Sequence, residues 1–195
     1  MSRTKGSQGQ TSAGLTTANQ LTILRIVFIP VFIILLSYGR TGLAFAIFVA
    51  AGITDVLDGI IARRFGQKTS LGTVLDPLAD KLLMVTSIVI LSLPQMGFKN
   101  VLPPWLTILL ISRDVLMMLV ALIIVLMVGW RFFKPSIYGK ASTLLQVITV
   151  LAVLFSNWRE QVVPQLRVLY YLTGGLTAFS GLHYLLTGRN RVGIE

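Results

Sequence analysis

The chain has 195 residues, of which 54% are hydrophobic and 12% charged, with a mean hydropathy of +0.80 and a formal net charge of +10. Soluble domains average about 25% charged residues, so this composition argues against a water-soluble globule and for lipid as the solvent. The absence of cysteine excludes disulfides, a thiolate metal site and a cysteine nucleophile. No basic stripe is interleaved with aromatics outside the apolar runs, which argues against nucleic acid as a partner.

Residues 1–18 are small and polar, and they are predicted to form a disordered cytoplasmic tail ahead of a single membrane domain over 19–195. Apolar runs follow at about 21–38, 41–64, 72–95, 103–130, 140–157 and 164–187, each long enough to cross a bilayer as a helix. The expected fold class is therefore an all-α integral membrane protein with six transmembrane helices. Punctuation between the runs is clear, as in Tyr38-Gly39-Arg40 and Gly97-Phe98-Lys99-Asn100. Arg3, Lys5, Arg63, Arg64, Lys68, Arg131, Lys134, Lys140, Arg189 and Arg191 fall on one side, and Arg40, Lys99, Arg159 and Arg167 on the other. That bias puts both termini in the cytoplasm and accounts for most of the positive charge. It fits a bacterial inner (plasma) membrane, with membrane lipids as neighbours. Trp105, Trp130 and Trp158 all lie near span ends, at headgroup level.

The first run opens with Asn19 and Arg25, which either cap the helix and meet headgroups or reach a bound nucleotide. The second and third runs hold the informative chemistry. Four of only seven acidic residues, Asp55, Asp58, Asp76 and Asp80, occur there in apolar helical surroundings. Each carboxylate in a span costs about 2.5–3.5 kcal/mol on insertion scales, and four unpaired anions would also repel one another. Spacings of three and four residues put each pair on one helical face. Two such faces can converge on cations. Oxygen donors without His or Cys favour Mg²⁺, Mn²⁺ or Ca²⁺ over zinc, and four carboxylates suit two metal ions that clamp a transferring phosphoryl group. Gly59, Ala62 and Gly72 let helices approach closely, and they also leave room for a bulky ligand beside the carboxylates. Arg63 either binds phosphate oxygens or marks the cytoplasmic boundary. Pro77 is read as belonging to the first turn of its helix, where the missing N–H matters little.

These residues form the pattern Asp55-x2-Asp58-Gly59-x2-Ala62-Arg63-x8-Gly72-x3-Asp76-x3-Asp80. It resembles, without departure, the signature of the CDP-alcohol phosphotransferase family, and the likeness runs from Asn19-x-Leu21-Thr22-x2-Arg25 to the last span. The resemblance implies that the four aspartates bind two divalent ions, Mg²⁺ or Mn²⁺, and that Asp80 is also the general base. It implies that Asp55, Asp58, Gly59, Ala62, Arg63 and Gly72 line the CDP site of a CDP-diacylglycerol substrate. Transfer of the phosphatidyl group to a glycerol-type hydroxyl would then release CMP. Homodimers are common in the family, and the resemblance admits one here.

The fourth and fifth runs are where an acceptor would be chosen. Arg113, next to Asp114, forms an internal ion pair or faces an anionic acceptor phosphate. Lys140 is the second acceptor cation by resemblance, or else positive-inside loop charge. Val115 to Ala121 is wholly apolar where relatives that use glycerol 3-phosphate carry a further arginine, so phosphatidylglycerol is the favoured acceptor over glycerol 3-phosphate. His183, the sole histidine, is read as packing near a span end. Rival readings are an ion-conducting protein, which would spread its carboxylates across the membrane depth, and a non-catalytic lipid-binding protein.

Overall fold

The computed structural model describes the backbone of residues 17–65, 70–128 and 137–189, and side chains within 24–54, 56, 79–120 and 137–184. The expected tail, 1–18, falls almost wholly outside these residues. Six long helices follow in order: α1 (Thr17–Ser37), α2 (Thr41–Phe65), α3 (Ser70–Leu91), α4 (Pro104–Val128), α5 (Ile137–Trp158) and α6 (Leu166–Arg189). They match the six apolar runs, with one difference at the end of the third. Pro94 cannot continue the helix, so α3 stops at Leu91 and a short 3-10 turn occupies Pro94–Met96.

A second difference concerns Pro77. It is the eighth residue of α3 rather than part of its first turn, because the helix already begins at Ser70. A proline there has no N–H to give the carbonyl of Thr73 four residues back, so α3 lacks one backbone bond in the turn that ends at Pro77 while its helical course continues. Neighbouring helices make such a missing bond tolerable in apolar surroundings.

Connections at one end of the bundle are closely tied. After α1, Gly39 adopts a left-handed φ of 70° and Arg40 N donates to Leu35 O at 2.8 Å, closing the helix end. The segment between α3 and α4 is fastened to the end of α5 by an amide exchange. Asn100 N donates to Asn157 Oδ1 and Asn157 Nδ2 donates back to Asn100 O, both at 2.9 Å. Lys99 Nζ donates to Glu160 O at 2.8 Å, next to the strained Glu160 backbone at φ 52°. Toward this end lies the apolar core, including Phe32, Leu36, Phe48, Leu91, Leu106 and Leu154.

Helix α1 packs on both α2 and α3, α5 packs on α2 and α6, and α4 packs on α6, while α3 touches α4 and α5 only slightly. Two aromatic anchors of the core end, Trp158 and Trp105, rest on Gly42 and Gly174. The Trp105 ring stacks on Tyr171 with centroids 5.5 Å apart, and a Cβ on Gly174 would lie 2.7 Å from it. Gly174→Leu is therefore expected to lower stability by about 1–3 kcal/mol through overpacking, read as a lower melting temperature in detergent. Unchanged melting would show that Trp105 is not held there.

Outside the apolar core, large apolar side chains face outward while several charged and polar ones are buried. Ile108, Leu144, Val168 and Leu172 are each about 60% exposed, whereas Arg25, Arg113, Asp114 and Gln146 are buried. Among the described residues, Ile137–Trp158 is long and apolar enough to cross a membrane by length and composition, and Leu24–Ser37 and Thr41–Thr54 are shorter apolar stretches.

Candidate active site

Helical backbone runs unbroken through residues 55–65 of α2 and through 70–80 of α3. The three- and four-residue spacings therefore are single helical turns, as expected from the sequence. The side chains of Asp55, Asp58, Gly59, Ala62, Arg63, Gly72 and Asp76 lie outside the described residues, and so do Arg131 and Lys134. Asp80 is described. It is half-buried and engaged, immediately after the fully buried Ala79. Among the described residues no group of three or more metal-ligating side chains occurs.

The residue after Asp80 opens a network that the sequence reading did not anticipate. Lys81 Nζ donates to Asp114 Oδ2 at 2.8 Å, joining α3 to α4. Arg113 Nη1 donates to the other oxygen of the same carboxylate, Asp114 Oδ1, also at 2.8 Å. Gln146 Nε2 of α5 reaches Asp114 Oδ2 at 3.5 Å. The guanidinium continues across the bundle, with Nη2 donating to Gly139 O of α5 at 3.1 Å and to Ser180 Oγ of α6 at 3.3 Å. Its aliphatic stem lies along Gly181, where a Cβ would stand 3.8 Å from Cγ. One buried carboxylate thus faces two cations, and the shared charge-assisted bonds offset the desolvation of all three groups.

Both readings of Arg113 bear on this arrangement. The internal ion pair is present, and the guanidinium keeps one buried donor, Nε, without a partner among the described residues. Lys140 is exposed and directly follows Gly139, whose carbonyl holds Arg113. Arg25 is only 2% exposed, so it reaches into the bundle rather than toward headgroups. His183 packs its ring against Tyr138 at 4.8 Å and Phe179 at 6.3 Å, as a packing residue would.

A polar seam continues along α5 and α6. Ser142 Oγ and Thr177 Oγ1 are 3.1 Å apart, and Thr149 Oγ1 and Thr173 Oγ1 are 2.7 Å apart. Thr149 and Thr173 can each also donate to the carbonyl four residues earlier, at 2.8 Å. A hydroxyl has one proton, so in this pair only one threonine donates across while the other keeps its own carbonyl. Small hydroxylic residues of this kind let two helices approach and bond in apolar surroundings.

Comparison with known proteins agrees with the motif. The family model for CDP-alcohol phosphatidyltransferase matches residues 15–179. A human protein named cardiolipin synthase (CMP-forming) is 35% identical over 200 residues, covering 91% of this chain and 63% of its own length. A Drosophila melanogaster protein named "Probable cardiolipin synthase (CMP-forming)" is 33% identical over 193 residues, covering 90% of this chain and 58% of its own. A Mycobacterium tuberculosis protein named "Probable phosphatidylglycerophosphate synthase" is 35% identical over 140 residues, covering 68% and 63% respectively. The chain spans about three fifths of the length of these relatives.

Proposed function

We propose, since the chain belongs to the CDP-alcohol phosphatidyltransferase family, that it transfers a phosphatidyl group from CDP-diacylglycerol to a glycerol hydroxyl and releases CMP. The observation that carries this reading is the complete eight-position signature from Asp55 to Asp80, set on the helical backbones of α2 and α3. The reaction serves phospholipid synthesis.

The donor set is all carboxylate, which fits hard divalent cations. Asp55, Asp58, Asp76 and Asp80 would hold two of them, Mg²⁺ or Mn²⁺, which supply neutralisation of the diphosphate and a better leaving group when bound. Gly59, Ala62 and Gly72 leave room for the CDP moiety, and Arg63 donates to its phosphate oxygens. Asp80 accepts the proton of the acceptor hydroxyl as that oxygen attacks the β-phosphorus. The bond from that phosphorus to the bridging oxygen breaks, and CMP leaves with the electron pair. Arg113, through its remaining Nε donor, and Lys140 bind the acceptor phosphate.

Six spans, with the site facing the cytoplasm of a plasma membrane, suit this chemistry, because a soluble nucleotide must meet acyl chains that stay in the bilayer. The outward-facing apolar side chains support that placement, as does the basic bias of the cytoplasmic loops. Phosphatidylglycerol is the favoured acceptor, since the apolar stretch after Asp114 offers no further cation for the smaller, doubly charged glycerol 3-phosphate.

The test supplies purified protein with CDP-diacylglycerol, Mn²⁺ and either phosphatidylglycerol or glycerol 3-phosphate, and measures CMP and the lipid product. CMP release with phosphatidylglycerol is the expected result. Release only with glycerol 3-phosphate would reverse the acceptor and keep the reaction, and silence with both would sink it.

A further inference from the structure

Among the described residues, a slight interface bears directly on the geometry of the proposed site. Helix α3 carries Asp76 and Asp80 and packs mainly on α1, with slight contact to α4 and α5. Acceptor selection is assigned to the other side, on α4 and α5. Across that thin interface the described ion-pair tie is Lys81 to Asp114, at 2.8 Å.

We propose that Asp114 is a positioning residue for phosphatidyl transfer, holding the carboxylate-bearing helix α3 in register with the acceptor-side helices. This rests on the reading of Asp80 given under Proposed function. Successive helical residues project about 100° apart, and Lys81 directly follows Asp80. Pinning Lys81 Nζ to α4 therefore fixes the rotation of α3 about its axis, and with it the direction from which positions 76 and 80 are presented. The need is real, because Pro77 has no N–H to give the carbonyl of Thr73, and α3 lacks one helical bond in the turn leading to those positions. Through its second oxygen Asp114 holds Arg113, whose Nη2 grips the carbonyl of Gly139, the residue before Lys140. One carboxylate thus sets the spacing between the metal-binding side and the acceptor side. It does this without touching either substrate.

The experiment uses the full chain in nanodiscs, with Asp114→Asn, Lys81→Met, the double variant and Asp114→Glu. Mn²⁺ affinity is read by electron paramagnetic resonance of the free ion, alongside melting temperature and the rate of CMP release. Removing residues that orient metal ligands weakens metal affinity or activity by about 10- to 100-fold. Asp114→Asn and Lys81→Met are each expected to fall in that range, with the double variant no worse than Asp114→Asn alone and Asp114→Glu partly restored. Non-additivity of this kind marks groups acting as one unit. Lower melting with unchanged Mn²⁺ affinity and rate, or additive losses in the double variant, would overturn the proposal. If Asp114→Asn does not fold, Lys81→Met decides alone, since its removal leaves Asp114 paired with Arg113. Wild-type protein that binds Mn²⁺ yet releases no CMP would overturn the transferase reading and leave the tie between helices standing.

Discussion

Asp80→Asn is expected to leave a folded protein whose CMP release is reduced by about 10²- to 10⁴-fold, the usual contribution of a positioned general base. Asparagine has nearly the same shape as aspartate, so packing beside the buried Ala79 and Leu83 should survive. What disappears is the negative charge and the ability to take a proton. Asp80 is half-buried rather than fully enclosed, which suits a group that must meet an incoming hydroxyl. Because three other carboxylates of the quartet remain, binding of CDP-diacylglycerol should be largely retained, as measured with a non-transferring CDP-lipid analogue. Loss of rate with retained binding separates the base from a residue that only holds the nucleotide. Full activity of Asp80→Asn would show that another group takes the proton.

Most of the helical architecture was legible because its signals are local. Six apolar runs of span length, broken at glycine, proline and charged clusters, gave six helices within a few residues of their ends. The exception, Pro94, was visible in the sequence but overridden by the apolar residues around it. Pro77 lies deeper in its helix than hydropathy indicates for a related reason: the start of α3 at Ser70 lies in polar residues that hydropathy does not count. The spacing of the quartet is a property of the sequence, and the ion pair of Arg113 with Asp114 was one of its two readings of Arg113, whereas the second partner of Asp114 was not legible. That partner could have been found by elimination. Lys81 is a cation in an apolar run, and outside the quartet Asp114 is the only acidic residue within a helix among the described residues. Intramembrane charges pair, so Lys81 and Asp114 had few alternatives. The roles of Gly139 and Ser180 were beyond reach, since a carbonyl and a hydroxyl on distant helices carry no sequence signal until the chain is folded.

Removing divalent metal should have the largest effect of all. With EDTA in excess, CMP release is expected to vanish, and added Mg²⁺ or Mn²⁺ should restore it. If the four carboxylates, which lie within 26 residues, converge as proposed, they repel one another when no cation stands between them. The metal-free protein should therefore also be less stable. A cation present at 100 times its dissociation constant stabilises the folded state by about 2.7 kcal/mol, which is large enough to read as a shift in melting temperature. This second readout does not depend on turnover. It also separates the quartet from the Lys81–Asp114–Arg113 network, whose carboxylate is already matched by cations of the protein itself. Asp55→Asn with Asp58→Asn should abolish the metal-induced rise in melting temperature, because only two of the four donors remain. A rise that persists in that double variant would place the stabilising cation elsewhere in the chain. Activity that survives exhaustive chelation would leave the four aspartates without the role proposed for them.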